Sequence, residues 1–250
     1  MKRKYKLKNW VVICFIIICL SIFIYSIYNI YNWKKDVNDN DDVVKKIDDS
    51  IKIIKDEKTN EDKYDIDFET LKNENSDTVA YLSVNGTNIN YVVVKAKDND
   101  YYLKHNFNKK YNVAGWIFAD YKNKFDNTDK NIVIYGHNTK NGSMFGSMKN
   151  ILKKSWQENE DNLNITLVTP SGTYIYKVFS VYSIVPEDYY INTEFNSSEE
   201  YTKFLNTIKS RSIYDFKTSL NENDTILTLS TCALNGTRRV VLHAKKVVNF

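Results

Sequence analysis

An uncharged apolar run near the N-terminus constrains this chain more than any other feature. The stretch WVVICFIIICLSIFIYSIYNIYNW, residues 10–33, contains no charged side chain. Its apolar part, residues 11–30, has the length of about twenty residues that an α-helix needs to cross a bilayer. Aromatic residues typical of the membrane interface stand at its two ends, namely Trp10, Tyr28, Tyr31 and Trp33. The pattern predicts a transmembrane helix over residues 10–33.

The residues before this run predict its orientation. Five cations and no acidic residue precede it: Lys2, Arg3, Lys4, Lys6 and Lys8. Because basic flanks remain inside the cell, we expect residues 1–9 to form a cytoplasmic tail and the rest of the chain, after about residue 33, to be extracellular. A cleaved signal peptide is disfavoured by the length of the run and the lack of a small-residue cleavage site. A buried core helix is disfavoured by the flanking residues.

The charge balance of the remaining chain excludes one class of partner. The net charge is +4, from 35 basic and 31 acidic residues, and five of the basic ones lie in the N-terminal tail. Residues 11–250 therefore carry 30 basic against 31 acidic side chains, a balance of about −1. No basic face is left to bind phosphates, so we expect no nucleic-acid partner.

The pattern after the membrane run predicts a charged stalk and one β-rich domain. Residues 34–66 are rich in Lys, Asp and Asn, and helical spacing of Val44, Ile47, Ile51 and Ile54 predicts an amphipathic helix in part of them. From residue 67 to 250 we expect mostly strands, located at residues 78–94 (two), 115–120, 131–137, 163–185 (a hairpin), 224–232 and 238–248. A short helix is expected near Met144–Leu152, and a capped one at 197–210. These elements indicate a β-barrel or sandwich of about 185 residues.

A single external cysteine is the first candidate for chemistry. Cys14 and Cys19 lie in the membrane run, which leaves Cys232 alone in the extracellular domain. An unpaired cysteine in an exported domain is either a reactive thiol or a small buried hydrophobe. Cys232 ends a strand, and polar Ser230 shares its face by the two-residue period. We therefore favour a functional thiol.

A nucleophilic thiol needs a base and a cation nearby. Of the three histidines, His105 lies in a polar stretch and His243 lies in mid-strand between apolar residues. His137 ends a strand and opens a loop, where catalytic groups are usually presented, and is the best candidate for the base. Arg238 and Arg239 begin the last strand, and only one of them can face the thiol, because neighbours in a strand point to opposite faces.

These residues together resemble a known family. TLSTC (228–232), Arg239 downstream and YGHN (135–138) upstream resemble the sortases, and class B in particular. The likeness covers about residues 68–248 and includes GTNINYVVV, KDNDYYL, IYGHNTKNGSMF, VFSVY and the helix before the last two strands. The Cys-to-Arg connection, ALNGTR, is shorter than in many class B relatives, so its contacts to substrate are expected to differ.

The resemblance implies an eight-stranded β-barrel with short peripheral helices, and a cysteine transpeptidase that needs no cofactor or metal. Cys232 would attack a C-terminal sorting signal and form a thioacyl-enzyme, with His137 as acid/base and Arg239 binding the oxyanion or the signal backbone. An amine of the peptidoglycan precursor, lipid-linked or in a cross-bridge, would take the acyl group. The positions implied to hold the signal are Asn99, Leu103, Tyr135, Tyr190, Ile191 and Ser230. The clients remain open between haem-uptake proteins and pilus subunits.

Three other functions compete with this interpretation. An L,D-transpeptidase would keep an arginine two residues after its cysteine, where Leu234 stands here. A papain-like hydrolase would place its cysteine before its histidine, the reverse of the order here. A membrane-anchored binding module with an inert thiol is the non-enzymatic alternative.

We predict that residues 1–33 serve only for anchoring. A truncated chain that begins near Asp36 should be soluble and should still cleave a sorting peptide, because the uncharged run ends abruptly at a Lys/Asp-rich segment. Peptide cleavage in solution, compared with the full chain in detergent, is the measurement. A truncated domain that folds but cleaves no signal would assign the first 33 residues a further role.

Overall fold

The structure is a computed structural model that describes residues 8–55, 62–232 and 237–249. Most of the basic N-terminal tail and the whole ALNG segment after Cys232 lie outside these residues. The backbone of Cys232 itself is described, as the last residue of a strand.

Within the described residues the chain forms ten strands and four α-helices. The strands are β1 (Ile51–Lys55), β2 (Asp62–Ile66), β3 (Thr78–Val84), β4 (Ile89–Val94), β5 (Phe118–Ala119), β6 (Asn131–His137), β7 (Asn164–Thr169), β8 (Gly172–Ile184), β9 (Ile226–Cys232) and β10 (Arg239–Asn249). The helices are α1 (Asn9–Ile47), α2 (Phe68–Glu74), α3 (Lys154–Gln157) and α4 (Ser198–Ser210). Short 3-10 helices cover Asp48–Ser50, Tyr101–Leu103, Gly146–Leu152, Glu160–Leu163 and Tyr189–Ile191.

Eight of the strands close into a barrel, which confirms the predicted fold and excludes the sandwich. The order around the barrel is β10-β8-β7-β3-β4-β5-β6-β9. Two neighbouring pairs are parallel, β4 with β5 and β6 with β9, and the other pairs are antiparallel. The expected strand at 115–120 shortens to Phe118–Ala119, while the hairpin of β7 and β8 forms as expected.

Alternation along β10 separates two apolar clusters. Val240, Leu242 and Ala244 pack into the main core. Val241 packs with a second cluster that includes Phe179 and the buried face of α4. Helix α4 begins as predicted, because the Ser197 side chain accepts a hydrogen bond from the Glu200 N–H at 3.2 Å. The strands near Cys232 are therefore covered by apolar groups on both faces.

Helix α1 is longer than expected and continues well beyond the membrane run. Its apolar stretch has a mean hydropathy of 2.8, is not buried, and is long and apolar enough to cross a membrane. Farther along the helix, Val37, Asn40, Val43 and Ile47 are buried. Their spacing of three, three and four residues places them on one face, which packs against the barrel domain.

The helical interpretation of Ile51 and Ile54 is wrong. Helix α1 ends at Ile47, and after one 3-10 turn the two isoleucines lie in β1, which pairs with β2. Ile51 lies opposite Ile66, and Ile54 lies opposite Lys63. β-branched side chains suit a strand as well as a helix face, and pairing with β2 decided between the two.

A buried chain of hydrogen bonds joins β10, β9 and β6. The Thr228 hydroxyl donates to Asn131 Oδ1 at 2.7 Å and lies 2.9 Å from His243 Nδ1. His243 Nε2 lies 2.8 Å from the Tyr182 hydroxyl on β8. Because the Thr228 proton is used on Asn131, Nδ1 of a neutral His243 donates to Thr228 and Nε2 accepts from Tyr182. The neutral imidazole thus satisfies both of its nitrogens, and the expectation that His243 lies in the core is confirmed.

We predict that His243 makes the fold sensitive to acid. Complete burial lowers the pKa of His243 from 6.5 to about 3, so the unfolded chain binds a proton in this interval and the folded chain does not. The contribution of His243 to the free energy of unfolding is fully present above about pH 6.5 and is lost as the pH falls towards 3. Relative to His243→Gln, the wild type should lose up to about 1.4 kcal/mol of unfolding free energy per pH unit. Urea denaturation of both proteins measures this, and parallel pH dependences would contradict the prediction.

Candidate active site

Three strand ends meet at the candidate site. In the parallel pair of β6 and β9, His137 is the register partner of Cys232. In the antiparallel pair of β9 and β10, Val241 lies opposite Ser230, and continuing this register by two residues brings Arg239 opposite Cys232. The backbones of the three predicted residues thus lie side by side across adjacent strands, although they are far apart in the sequence.

His137 is held in one orientation by a backbone carbonyl. Its Nε2 lies 2.7 Å from the Leu103 carbonyl oxygen, so this nitrogen carries a proton. In the neutral ring, Nδ1 then keeps its lone pair, and it has no hydrogen-bond partner among the described residues. Burial lowers the pKa of His137, against the smaller raising effect of the bond to Leu103. The ring is therefore a neutral base with Nδ1 as its basic atom.

A glycine allows the Leu103 carbonyl to reach His137. Gly115 has a φ of +59°, and a Cβ there would lie 2.6 Å from the Tyr102 carbonyl oxygen and 2.9 Å from His137 Cδ2. Any other residue would push the Tyr101–Leu103 turn and the imidazole apart. Sequence reasoning missed Gly115 as a site residue and gave Leu103 only as a substrate contact. A glycine shortly before an expected strand was the one available signal.

The two arginines have different partners, as strand alternation predicts. Arg239 is half-buried; its Nη1 donates to the Tyr190 hydroxyl at 3.2 Å and lies 4.0 Å from Asp188 Oδ1. Arg238 is exposed, and its Nε donates to Ser183 Oγ at 3.0 Å. Arg239 therefore lies on the covered side of the strand, near Cys232, and Arg238 lies on the solvent side.

Five of the six residues implied to hold substrate fall into two groups. Tyr190 and Ser230 are buried beside Arg239, with 3.0 Å between their hydroxyl oxygens, and Ile191 follows Tyr190 in the same turn. Because Arg239 donates to Tyr190, this group holds the arginine in place. The expectation that these residues contact substrate stays a prediction.

The second group converges on a carboxylate that sequence reasoning missed. Asp120 Oδ2 accepts from Asn99 Nδ2 at 2.9 Å and from the Tyr135 hydroxyl at 2.8 Å. Asp120 Oδ1 accepts from the Lys122 N–H at 3.0 Å, and the side chain is only 4% exposed. Asp120 directly follows β5, and an acidic residue after a buried strand was the available signal. Leu103 belongs to neither group, since its role here is through its carbonyl.

The described residues contain no group of three or more His, Cys, Asp or Glu side chains that could hold a metal ion. The three predicted residues bring an imidazole, a guanidinium and a cysteine to this site.

Comparison with known proteins identifies relatives over the barrel domain. A family model described as "Sortase domain" matches residues 82–247. Sortase B of Listeria monocytogenes is 38% identical over 164 residues, which cover 65% of this chain and 65% of the relative. Sortase B of Staphylococcus aureus is 33% identical over 181 residues, which cover 71% of this chain and 73% of the relative.

Solved structures agree with these relatives in three dimensions. Sortase B from Bacillus anthracis in complex with AAEK1 has a TM-score of 0.75 and 35% identity, covering 85% of this chain and 98% of that one. Sortase B from Clostridium perfringens has a TM-score of 0.68 and 39% identity, covering 72% and 99%. A sortase B structure complexed with triglycine has a TM-score of 0.68 and 34% identity, covering 72% and 85%.

The family match covers more than half of the chain, and the solved relatives share its closed barrel. Together with the histidine, cysteine and arginine at adjacent strand ends, these findings show that the chain belongs to class B of the sortase family of cysteine transpeptidases.

Proposed function

We propose that this chain is a membrane-anchored transpeptidase that cleaves the C-terminal sorting signal of surface proteins and joins them to a peptidoglycan amine. The observation that carries the proposal is the β6–β9 register, in which His137 is the partner of Cys232. The β9–β10 register, continued two residues beyond the Val241–Ser230 pair, brings Arg239 to the other side of Cys232. Transpeptidation through a thioester needs a nucleophile, a base and an oxyanion donor, and these three residue types supply them.

In the first step, Nδ1 of His137 takes the proton of the Cys232 thiol. The thiolate attacks the carbonyl carbon of the scissile peptide bond, and the carbonyl π electrons move to the oxygen. Arg239 donates to this oxyanion, and its own position is supported by the bond to Tyr190. The Leu103 carbonyl accepts from Nε2–H of the imidazolium, and so stabilises the positive charge on His137.

In the second step, the tetrahedral intermediate collapses to a thioester. The C–N bond breaks, and the leaving amine takes the proton from His137. An acceptor amine then gives its proton to His137 and attacks the thioester carbon, after which Cys232 leaves as a thiolate and takes this proton from His137, so that the thiol and the neutral imidazole are restored. Burial of His137 lowers its pKa, which favours the neutral base at the start of each half-reaction.

The partners follow from the same reaction. The acyl donor is a surface protein with a sorting signal, bound near Asn99, Leu103, Tyr135, Tyr190, Ile191 and Ser230. The acceptor is a peptidoglycan precursor amine, lipid-linked or in a cross-bridge; the complex of a related sortase B with triglycine supports a small amine acceptor.

The proposed topology is a single-pass anchor with the enzyme outside the cell. The exposed apolar stretch of α1 supports a membrane span, and the basic residues before it support a cytoplasmic N-terminus. The proposed divisions are a tail (1–9), an anchor (10–33), a stalk (34–66) and an extracellular catalytic domain (67–250).

We predict that Cys232→Ala abolishes cleavage of sorting peptides and leaves the fold intact. Without the thiolate no thioester can form, so a covalent acyl-enzyme should be visible by mass spectrometry in the wild type only. Replacing Cys14 and Cys19 together is the matched control, since both lie in the apolar stretch of α1. Loss of activity in that double variant, or cleavage by Cys232→Ala, would refute the single-nucleophile mechanism.

We predict a large difference between the two arginines. Arg239→Ala should reduce turnover by about 10²- to 10³-fold, or about 3–4 kcal/mol of barrier, because an oxyanion donor is lost. Arg239→Lys should recover only part, since lysine lacks the planar fork of donors. Arg238→Ala should cost a few-fold at most, because Arg238 is exposed and donates to Ser183 on β8. Peptide-cleavage kinetics, with folding checked by circular dichroism, measure all three; a larger loss at Arg238 would reverse the assignment.

A further inference from the structure

Helix α1 connects its apolar stretch to the barrel domain without a break. It runs from Asn9 to Ile47 as one α-helix of 39 residues. Three of the residues that it buries against the domain, Val37, Val43 and Ile47, are apolar, as expected for a docked helix. The fourth is Asn40, which is 2% exposed. A buried amide in an otherwise apolar contact face needs hydrogen-bond partners, and those partners are informative.

Both polar atoms of the Asn40 side chain are bonded to the loop before β5. Nδ2 donates to the Gly115 carbonyl oxygen at 3.0 Å. Oδ1 accepts from Asn112 Nδ2 at 3.0 Å, and the same Asn112 amide also donates to the Asp36 carbonyl oxygen at 2.7 Å. The Val113 N–H donates to the Asp36 carboxylate at 2.8 Å. This part of α1 therefore holds the backbone of residues 112–115.

The loop of residues 112–115, which α1 holds, contacts the proposed catalytic histidine, His137. A Cβ on Gly115 would lie within 3.0 Å of both His137 Cδ2 and the Leu103 carbonyl oxygen, so the Gly115 backbone packs directly on them. The next residue, Trp116, donates its N–H to the Tyr102 carbonyl oxygen at 3.0 Å. The Leu103 carbonyl in turn accepts from His137 Nε2. A shift of Gly115 would therefore move the acceptor that orients the imidazole.

We propose that Asn40, on the buried face of α1, is a positioning residue for His137. The proposal rests on the proposed role of His137 as the acid/base. The Asn40 bond fixes the Gly115 carbonyl, Gly115 fixes the Tyr101–Leu103 turn, and the Leu103 carbonyl keeps the proton on Nε2 and the lone pair on Nδ1. Without the Asn40 amide, the Gly115 carbonyl loses its buried donor and the turn is free to shift.

The same contact relates the site to the membrane. Asn40 lies seven residues after Trp33, and at 1.5 Å per residue the helix advances about 10 Å between them. Because the helix is continuous, the loop that orients His137 is held at a set height above the proposed interface. A truncated chain that begins near Asp36 keeps this contact, which is consistent with the activity expected of it.

The test compares two asparagines of the same helix in the full chain, purified in detergent micelles. Asn40→Ala removes the buried amide, and Asn38→Ala makes the same chemical change on the exposed side. We expect Asn40→Ala to lower kcat for a sorting peptide by about tenfold to a hundredfold, because a misplacement of about 1 Å at a reacting group costs up to about a hundredfold. The KM for the peptide should change little, and Asn38→Ala should match the wild type.

A second readout requires no activity. In protein labelled with ¹⁵N-histidine, the wild type should show neutral His137 as the Nε2–H tautomer, and Asn40→Ala should show the two nitrogens averaging between tautomers. If the wild type cleaves no peptide, the proposed function fails while this spectrum still tests the positioning role. Val43→Ala removes apolar packing from the same face and should lower the melting temperature without altering the His137 signals.

The outcomes distinguish a role of Asn40 in positioning His137 from a role only in docking α1 on the barrel. Unchanged His137 signals in Asn40→Ala, or a fall in kcat equal to that of Val43→Ala, would overturn the proposal. If Asn40→Ala does not fold, Asn40→Ser is used instead, since its hydroxyl fills part of the space but is too short to reach the Gly115 carbonyl. The same pair of results, a lower kcat and averaged tautomers, is then required.

Discussion

The parallel pairing of β6 with β9 is the contact on which the site depends, because it sets His137 beside Cys232. The antiparallel partner β10 begins at Arg239, and its register with β9, continued from the Val241–Ser230 pair, brings this residue to the other side of Cys232. A slip of one residue in either register would turn one of these side chains to the opposite face of the sheet. The buried bonds among Asn131, Thr228 and His243 cross all three strands farther from the site, and they oppose such a slip.

Burial gives the site residues their chemical properties. His137 is almost enclosed, so its pKa is lowered and the neutral ring is favoured, while one carbonyl selects which nitrogen holds the proton. Arg239 retains its charge, and its hydrogen bond to the buried Tyr190 restricts its position. Each group is therefore oriented before substrate binds, which is the condition for electrostatic stabilisation of a transition state. The supporting groups are mostly backbone carbonyls and hydroxyls, whose importance no residue-type pattern reveals.

The first part of the charged segment between the apolar run and the barrel is a docked helix, the continuation of α1. A composition of Lys, Asp and Asn suggests a solvated stalk, yet four residues of its first part are buried on the catalytic domain. Apart from Asp36, whose carboxylate accepts from the Val113 N–H, the charged residues of this part of the helix are exposed, so a charge-rich sequence and a docked helix are compatible. The connection between the apolar stretch and the barrel is consequently a folded element as far as Ile47, and the β1–β2 hairpin follows it.

The sequence alone determined the apolar helix, the strands with regular alternation, the capped helix α4 and the three residue types of the site, because these depend on local periodicity and on residue chemistry. Strand alternation, which is also a local property, predicted that Arg238 and Arg239 lie on opposite sides of β10. Sequence reasoning failed for Ile51 and Ile54, whose spacing fits a helix and whose pairing with β2 is not local. The sequence likewise did not reveal the roles of Asp120, Gly115 and Asn40. Their roles come from contacts between segments 15 to 75 residues apart, and only the closed barrel with α1 docked on it brings those segments within hydrogen-bonding distance.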